Sequence, residues 1–92
     1  MSVVMRFTPA SLTAAKYDEV VRRLEETGAF PPEGLDYHVC FNSEGNLRVS
    51  EIWASRENFE AFAERLMPVL TEVGIEFSGE PEVFEVHNIE KR

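Results

Sequence analysis

The stretch at residues 35–54, "LDYHVCFNSEGNLRVSEIWA", decides the fold. Apolar and polar residues alternate over 35–42, "SEGN" supplies turn chemistry, and alternation resumes over 47–54, which is the pattern of a β-hairpin. Successive strand residues point to opposite faces, so Leu35, Tyr37, Val39 and Phe41 share one side and Asp36, His38, Cys40 and Asn42 the other. A turn centred on Glu44 and Gly45 sets His38 opposite Glu51, Asp36 opposite Trp53 and Cys40 opposite Val49. Centring it on Gly45 and Asn46 instead sets His38 opposite Trp53. Either register keeps His38, Cys40, Glu51 and Trp53 on one face, and only an odd-length loop or a bulge would separate them.

Working outward, "SVVMRF" at residues 2–7 is short, rich in β-branched and apolar residues, and closed by Thr8-Pro9, so it reads as a strand. From Ser11 or Thr13 to Thr27, Tyr17, Val20, Val21 and Leu24 recur at helical spacing and Gly28 supplies the stop. "FPPEG" at 30–34 is a connection, because tandem prolines remove donors and force extended backbone. Beyond the hairpin, Ser55 is placed to cap a helix whose stripe is Phe59, Phe62, Ala63, Leu66, Leu70 and Val73, with Gly74 at its end. Pro68 inside it is expected to kink the helix or restart it after Leu66. After "FSGEPE", the run "VFEVHNI" at 83–89 reads as a last strand and "EKR" as a solvated tail.

The order β-α-β-β-α-β predicts an α+β, ferredoxin-like fold. It is a four-stranded antiparallel sheet with spatial order 4-1-3-2 and two helices on one face. Residues 1–92 are read as a single domain. The Tyr37, Val39 and Phe41 side, with Ile52, Ala54, Phe84 and Val86, is expected to meet the helices. Val83, Glu85, His87 and Ile89 then lie on the open face with His38 and Trp53. A half-apolar open face calls for a partner sheet, so a homodimer through sheet faces is expected, with the polar groups bonded across the seam or lining a cavity.

Composition narrows the partners. Seventeen acidic against nine basic residues give a formal charge of -8, which repels phosphate backbones and argues against nucleic acid. The lone Cys40 excludes an internal disulfide and suits a reducing compartment, with the cytoplasm as the default. The first residues, "MSVVMRFTPAS", lack a cleavable-signal layout, and no apolar run reaches the ~18 residues of a membrane span.

The strand-to-helix motif "SEIWASRENFEAF", the following "RLMPVLTEVG" and the closing "PEVFEVHNI" resemble the antibiotic-biosynthesis-monooxygenase-like (ABM-like) domains of the dimeric α/β-barrel superfamily. The resemblance covers nearly the whole chain. It implies a homodimer whose sheets face each other, with a pocket in each subunit, and a group of proteins that includes cofactor-free oxygenases and haem-degrading enzymes. The haem-degrading branch is marked by an Asn on the first strand, a Trp on the second helix and a haem-ligating His farther along it. Here those places hold Met5, Arg6 or Phe7, then Phe62, then a position near Glu72, so that chemistry is not implied. No cofactor and no metal is expected.

Candidate site residues follow from chemistry and position. His38 is the candidate general base, with Glu51 across the strand pair to fix its tautomer. Trp53 and Phe62 are candidates to hold a small aromatic or apolar ligand, and Arg6 to neutralise a developing anion. His87, a further substrate-binding candidate, shares the face of His38 but belongs to the opposite sheet edge, about 14 Å away at the usual strand spacing, so the two cannot ligate one metal within a subunit. Cys40 is read as a small buried hydrophobe. A non-catalytic small-molecule-binding or structural dimer is the alternative to a cofactor-independent monooxygenase.

Overall fold

The computed structural model describes residues 1–10, 12–43, 45–77 and 79–90. Ser11, the expected turn residue Glu44 and the last two residues of the tail lie outside the described residues. The elements are β1 (Val3–Phe7), β2 (Pro9–Ala10), α1 (Ala14–Glu26), β3 (Leu35–Ser43), β4 (Asn46–Trp53), α2 (Arg56–Val73), β5 (Glu76–Phe77) and β6 (Glu82–Glu85). The main sheet runs β3-β4-β1-β6 and is antiparallel throughout, which is the expected 4-1-3-2 order read from its other edge.

Local chemistry sets the ends of both helices. Thr13 caps α1 by accepting from the Lys16 amide, and Ser55 caps α2 by accepting from that of Asn58. Gly74, at φ 87°, closes α2 in the left-handed conformation, its amide returning to the Leu70 carbonyl. The helix does not restart at Pro68 and is continuous over 18 residues. Pro68 and Glu64 are both exposed, so the Glu64 carbonyl that loses its amide donor lies where water can replace it.

The hairpin takes the Glu44-Gly45 register, with His38 opposite Glu51 and Cys40 opposite Val49. A bulge between Leu35 and Tyr37 ejects Asp36 from the ladder and sets Leu35, rather than Asp36, opposite Trp53. Leu35 thereby turns to the side of Trp53 and His38 and packs on the core.

The faces are the reverse of those expected. The helices cover the side bearing His38, Glu51 and Trp53, joined by Val3, Met5 and Phe7 from β1 and by Val83 from β6. The open side carries an apolar row across all four strands, Tyr37–Ile52–Val4–Phe84, in direct register. Tyr37 is 58% exposed and Phe84 53%. His38 and Glu51 looked too polar for the covered face. They are tolerated there because they bond to each other and to two further side chains, leaving no buried polar side-chain atom unpaired among the described residues.

β6 is also shorter than the expected run. It pairs with β1 only from Glu82 to Glu85, followed by one bond from the Val86 amide to the Ser2 carbonyl. β1 begins at Val3, so among the described residues those from His87 to Glu90 have no partner strand beside them. The two-residue pairing of β2 with β5, at Pro9 opposite Phe77, was not anticipated and lays Phe77 against Phe7. Among the described residues no helix is long and apolar enough to cross a membrane.

Candidate functional site

A cavity of about 80 Å³ lies between the sheet and the two helices. That is several times the ~10–15 Å³ that admits one water. Tyr17, Val20, Val21 and Leu24 from α1 form one wall and Phe62, Leu66 and Leu70 from α2 another. Their helical spacing is the stripe pattern that brings both helices onto the sheet. The β2–β5 pair closes one side with Pro9 and Phe77, and the "FPPEG" connection contributes Phe30. The floor is His38, Val49, Glu51 and Phe7.

The polar groups of this wall form one chain of hydrogen bonds. Trp53 Nε1 donates to Glu51 Oε1 at 3.0 Å, and Glu51 Oε2 lies 2.6 Å from His38 Nδ1. His38 Nε2 lies 2.6 Å from the Tyr17 hydroxyl. Indole N–H is only a donor and an ionised carboxylate only an acceptor, so for a neutral imidazole the direction of the chain follows. Glu51 accepts twice, His38 carries its proton on Nδ1, and bare Nε2 accepts from the Tyr17 O–H. Glu51 is 5% exposed and Trp53 0%, so the inner half of this chain is closed to solvent.

Burial, then the acidic groups Cys40, Glu51 and Asp18, push the Tyr17 phenol up to about 12. It stays protonated, and a donor, across the neutral range. Aromatic contacts hold the imidazole from two sides: the Tyr17 ring stacks at 6.0 Å and the Phe30 ring meets it edge-on at 5.5 Å. Burial and Asp18 also push the Cys40 thiol up, which keeps it from acting as a thiolate.

Of the expected site residues, the cavity brings together His38, Glu51 and Phe62. Trp53 stands behind them, packed against Phe59 and Phe62, and reaches the site through Glu51. Arg6 is exposed on the open face, in register between Ser50 and Glu82. His87 is exposed beyond the end of β6. Tyr17 and Phe30 were missed. Tyr17 is the one side chain with a polar tip in the apolar stripe of α1, a signal that could have found it; nothing in "FPPEG" marks Phe30.

Comparison with solved structures gives matches over nearly the full length. SnoaB, a cofactor-independent oxygenase from Streptomyces nogalater, aligns at a TM-score of 0.61 and 18% identity over 96% of this chain and 93% of its own. A candidate antibiotic biosynthesis monooxygenase from Caulobacter crescentus aligns at 0.58 and 18% identity, over 97% and 89%. The fold is that of the ABM-like domains. The ABM-like fold is shared with a heme-degrading protein, Rv3592 of Mycobacterium tuberculosis, at a TM-score of 0.55 and 21% identity over 99% and 100%. At these identities the likeness concerns architecture and not chemistry. No protein-family model matches the sequence, and comparison with curated proteins gives no match.

Proposed function

We propose that this chain is the single-domain subunit of a homodimeric, cofactor-independent monooxygenase acting on a small aromatic or polyketide-like compound. The observation that carries the reading is the oriented imidazole in the floor of a cavity apolar on nearly every side. At about 80 Å³ the cavity is smaller than the ~300–1,000 Å³ of usual ligand sites, so a ring enters only as the wall moves. In this reading His38 Nε2 takes the proton of an acidic hydroxyl or methylene, and Glu51 holds the imidazolium that results. Phe62 and Phe30 flank the ring. The electron-rich anion is oxidised by dioxygen: an activated methylene and O₂ give a carbonyl and water, the substrate carbon supplying the electrons. The name of SnoaB as a cofactor-independent oxygenase agrees with this chemistry.

Arg6 and His87 have no part in the proposed site because both lie outside the cavity lining. The test is oxygen uptake with a panel of phenolic and polyketide-like compounds. Wild type is expected to consume oxygen with at least one, and His38→Ala to lose about 10²-fold or more in rate. Equal uptake by both proteins removes His38 as the base. Uptake by neither favours the second reading, a non-catalytic binding protein, which is supported by the bond between His38 Nε2 and the Tyr17 hydroxyl.

The dimer is proposed through the open sheet face, on the apolar row Tyr37–Ile52–Val4–Phe84. Sedimentation equilibrium is expected to give twice the chain mass for wild type and the chain mass for Phe84→Asp. A monomeric wild type at tens of micromolar would refute the seam. The free thiol of Cys40 suits a cytoplasmic setting, which cell fractionation would check.

A further inference from the structure

We propose that the Tyr17 hydroxyl is an internal stand-in for the ligand's own hydroxyl: it holds His38 Nε2 and yields it when a hydroxylated ring enters. The inference rests on the reading of His38 as the ligand-facing group and adds a specificity-determining residue to it.

Three observations lead there. The hydrogen-bond chain has one direction, from Trp53 and His38 as donors to Glu51, which leaves Nε2 as a lone-pair acceptor facing the cavity. The partner on that lone pair is Tyr17, which lines the same cavity and is only half-buried. Tyr17 thus presents a ring stacked on the imidazole and an O–H at 2.6 Å from Nε2, the same two contacts a phenolic or enolic ligand would make. A ligand therefore has to displace the side chain, and the bond it forms replaces one already made. The net gain for its hydroxyl is small while Tyr17 is present, and larger once Tyr17 is gone.

The wall also says which ligands are refused. Among the described residues no Lys or Arg lines the cavity, and Glu51 contributes a carboxylate to it. A carboxylate or phosphate on the ligand would meet that charge without a counterion. A neutral ring carrying a weakly acidic hydroxyl meets only donors and acceptors that suit it.

The experiment compares 1-naphthol, naphthalene and 1-naphthoate on wild type, Tyr17→Phe and His38→Ala. Binding is followed by calorimetry and by the fluorescence of Trp53, the sole tryptophan. Tyr17→Phe keeps the ring and its volume, so the fold is expected to be retained, which far-ultraviolet circular dichroism checks. The expected result is a gain in 1-naphthol affinity of about three- to ten-fold in Tyr17→Phe, with naphthalene changed less than about two-fold. Naphthoate is expected to bind most weakly to every variant. Weaker or unchanged naphthol binding in Tyr17→Phe, an equal gain for naphthol and naphthalene, or no naphthol binding by any variant overturns the stand-in role. His38→Ala separates the two levels: if naphthol keeps its advantage over naphthalene there, the reading of His38 itself fails. If that advantage vanishes while Tyr17→Phe shows no gain, only the role of Tyr17 falls.

Discussion

Glu51→Gln is expected to leave the protein folded and to lower turnover by about 10²- to 10⁴-fold, the range that a lost general base produces. The argument is one of hydrogen-bond polarity. The Gln carbonyl oxygen can still accept from Trp53 Nε1, but its amide nitrogen then faces His38 Nδ1 with hydrogens of its own. Two donors cannot meet, so the imidazole changes tautomer: Nδ1 becomes the bare acceptor and the proton moves to Nε2. The cavity then faces an N–H and no base. Tyr17 reverses as well, from donor to acceptor. Stability falls by about 1 kcal/mol, because a charge-assisted bond is exchanged for a neutral one of the same shape. That lowers the melting temperature of a domain of this size by about 4–8 °C. Glu51→Ala is the contrasting variant. It leaves the buried indole and imidazole N–H groups without acceptors, at about 1–3 kcal/mol each, and confounds folding with function. Oxygen-uptake kinetics and ¹⁵N shifts of the imidazole check the prediction. Full activity in Glu51→Gln, or an unchanged tautomer, would sink it.

The same hydrogen-bond chain explains which parts of the molecule could be read from the sequence. Alternation and turn chemistry specified the hairpin and narrowed its register to two, one of which pairs His38 with Glu51 and Cys40 with Val49 as the structure does, because side-chain period and loop length act locally. Alternation says which residues share a face and not which face the helices cover. Here both faces of the hairpin are about equally apolar, and the polarity of His38 and Glu51 pointed the wrong way. The central strand held the better signal: Val3, Met5 and Phe7 are all buried on the covered side, while Arg6, of opposite parity, is exposed. In a strand flanked on both edges, the parity free of charge marks the core. Asp36 escaped because a bulge is a local cost met by tertiary contacts, here the packing of Leu35 on the core. Tyr17 and Glu51 are thirty-four positions apart, and what joins them is the docking of α1 across β3 and β4, a feature without a local trace.

Trp53 carries the second large effect, and it separates packing from polarity. Its ring is fully enclosed, with Phe59 edge-on at 5.6 Å and Phe62 tilted at 5.6 Å. Trp53→Ala removes these contacts and the donor to Glu51, at about 3–5 kcal/mol. Set against the roughly 5–15 kcal/mol that holds a small domain folded, that loss is expected to lower the melting temperature by about 15 °C or more, or to prevent folding. Trp53→Phe keeps a ring among the same neighbours and loses the N–H with part of the indole, so a cost of about 2 kcal/mol is expected in urea unfolding. The two variants divide on the site as well. With Phe at position 53, Glu51 Oε1 has no donor and the carboxylate is free to rotate away from His38, so turnover should fall more than naphthalene binding does. If Trp53→Phe were as active as wild type, Glu51 would be held by packing alone and the indole N–H would have no positioning role. If naphthalene binding fell as far as turnover, the tryptophan would be acting as a wall of the cavity, at odds with its place behind Phe62.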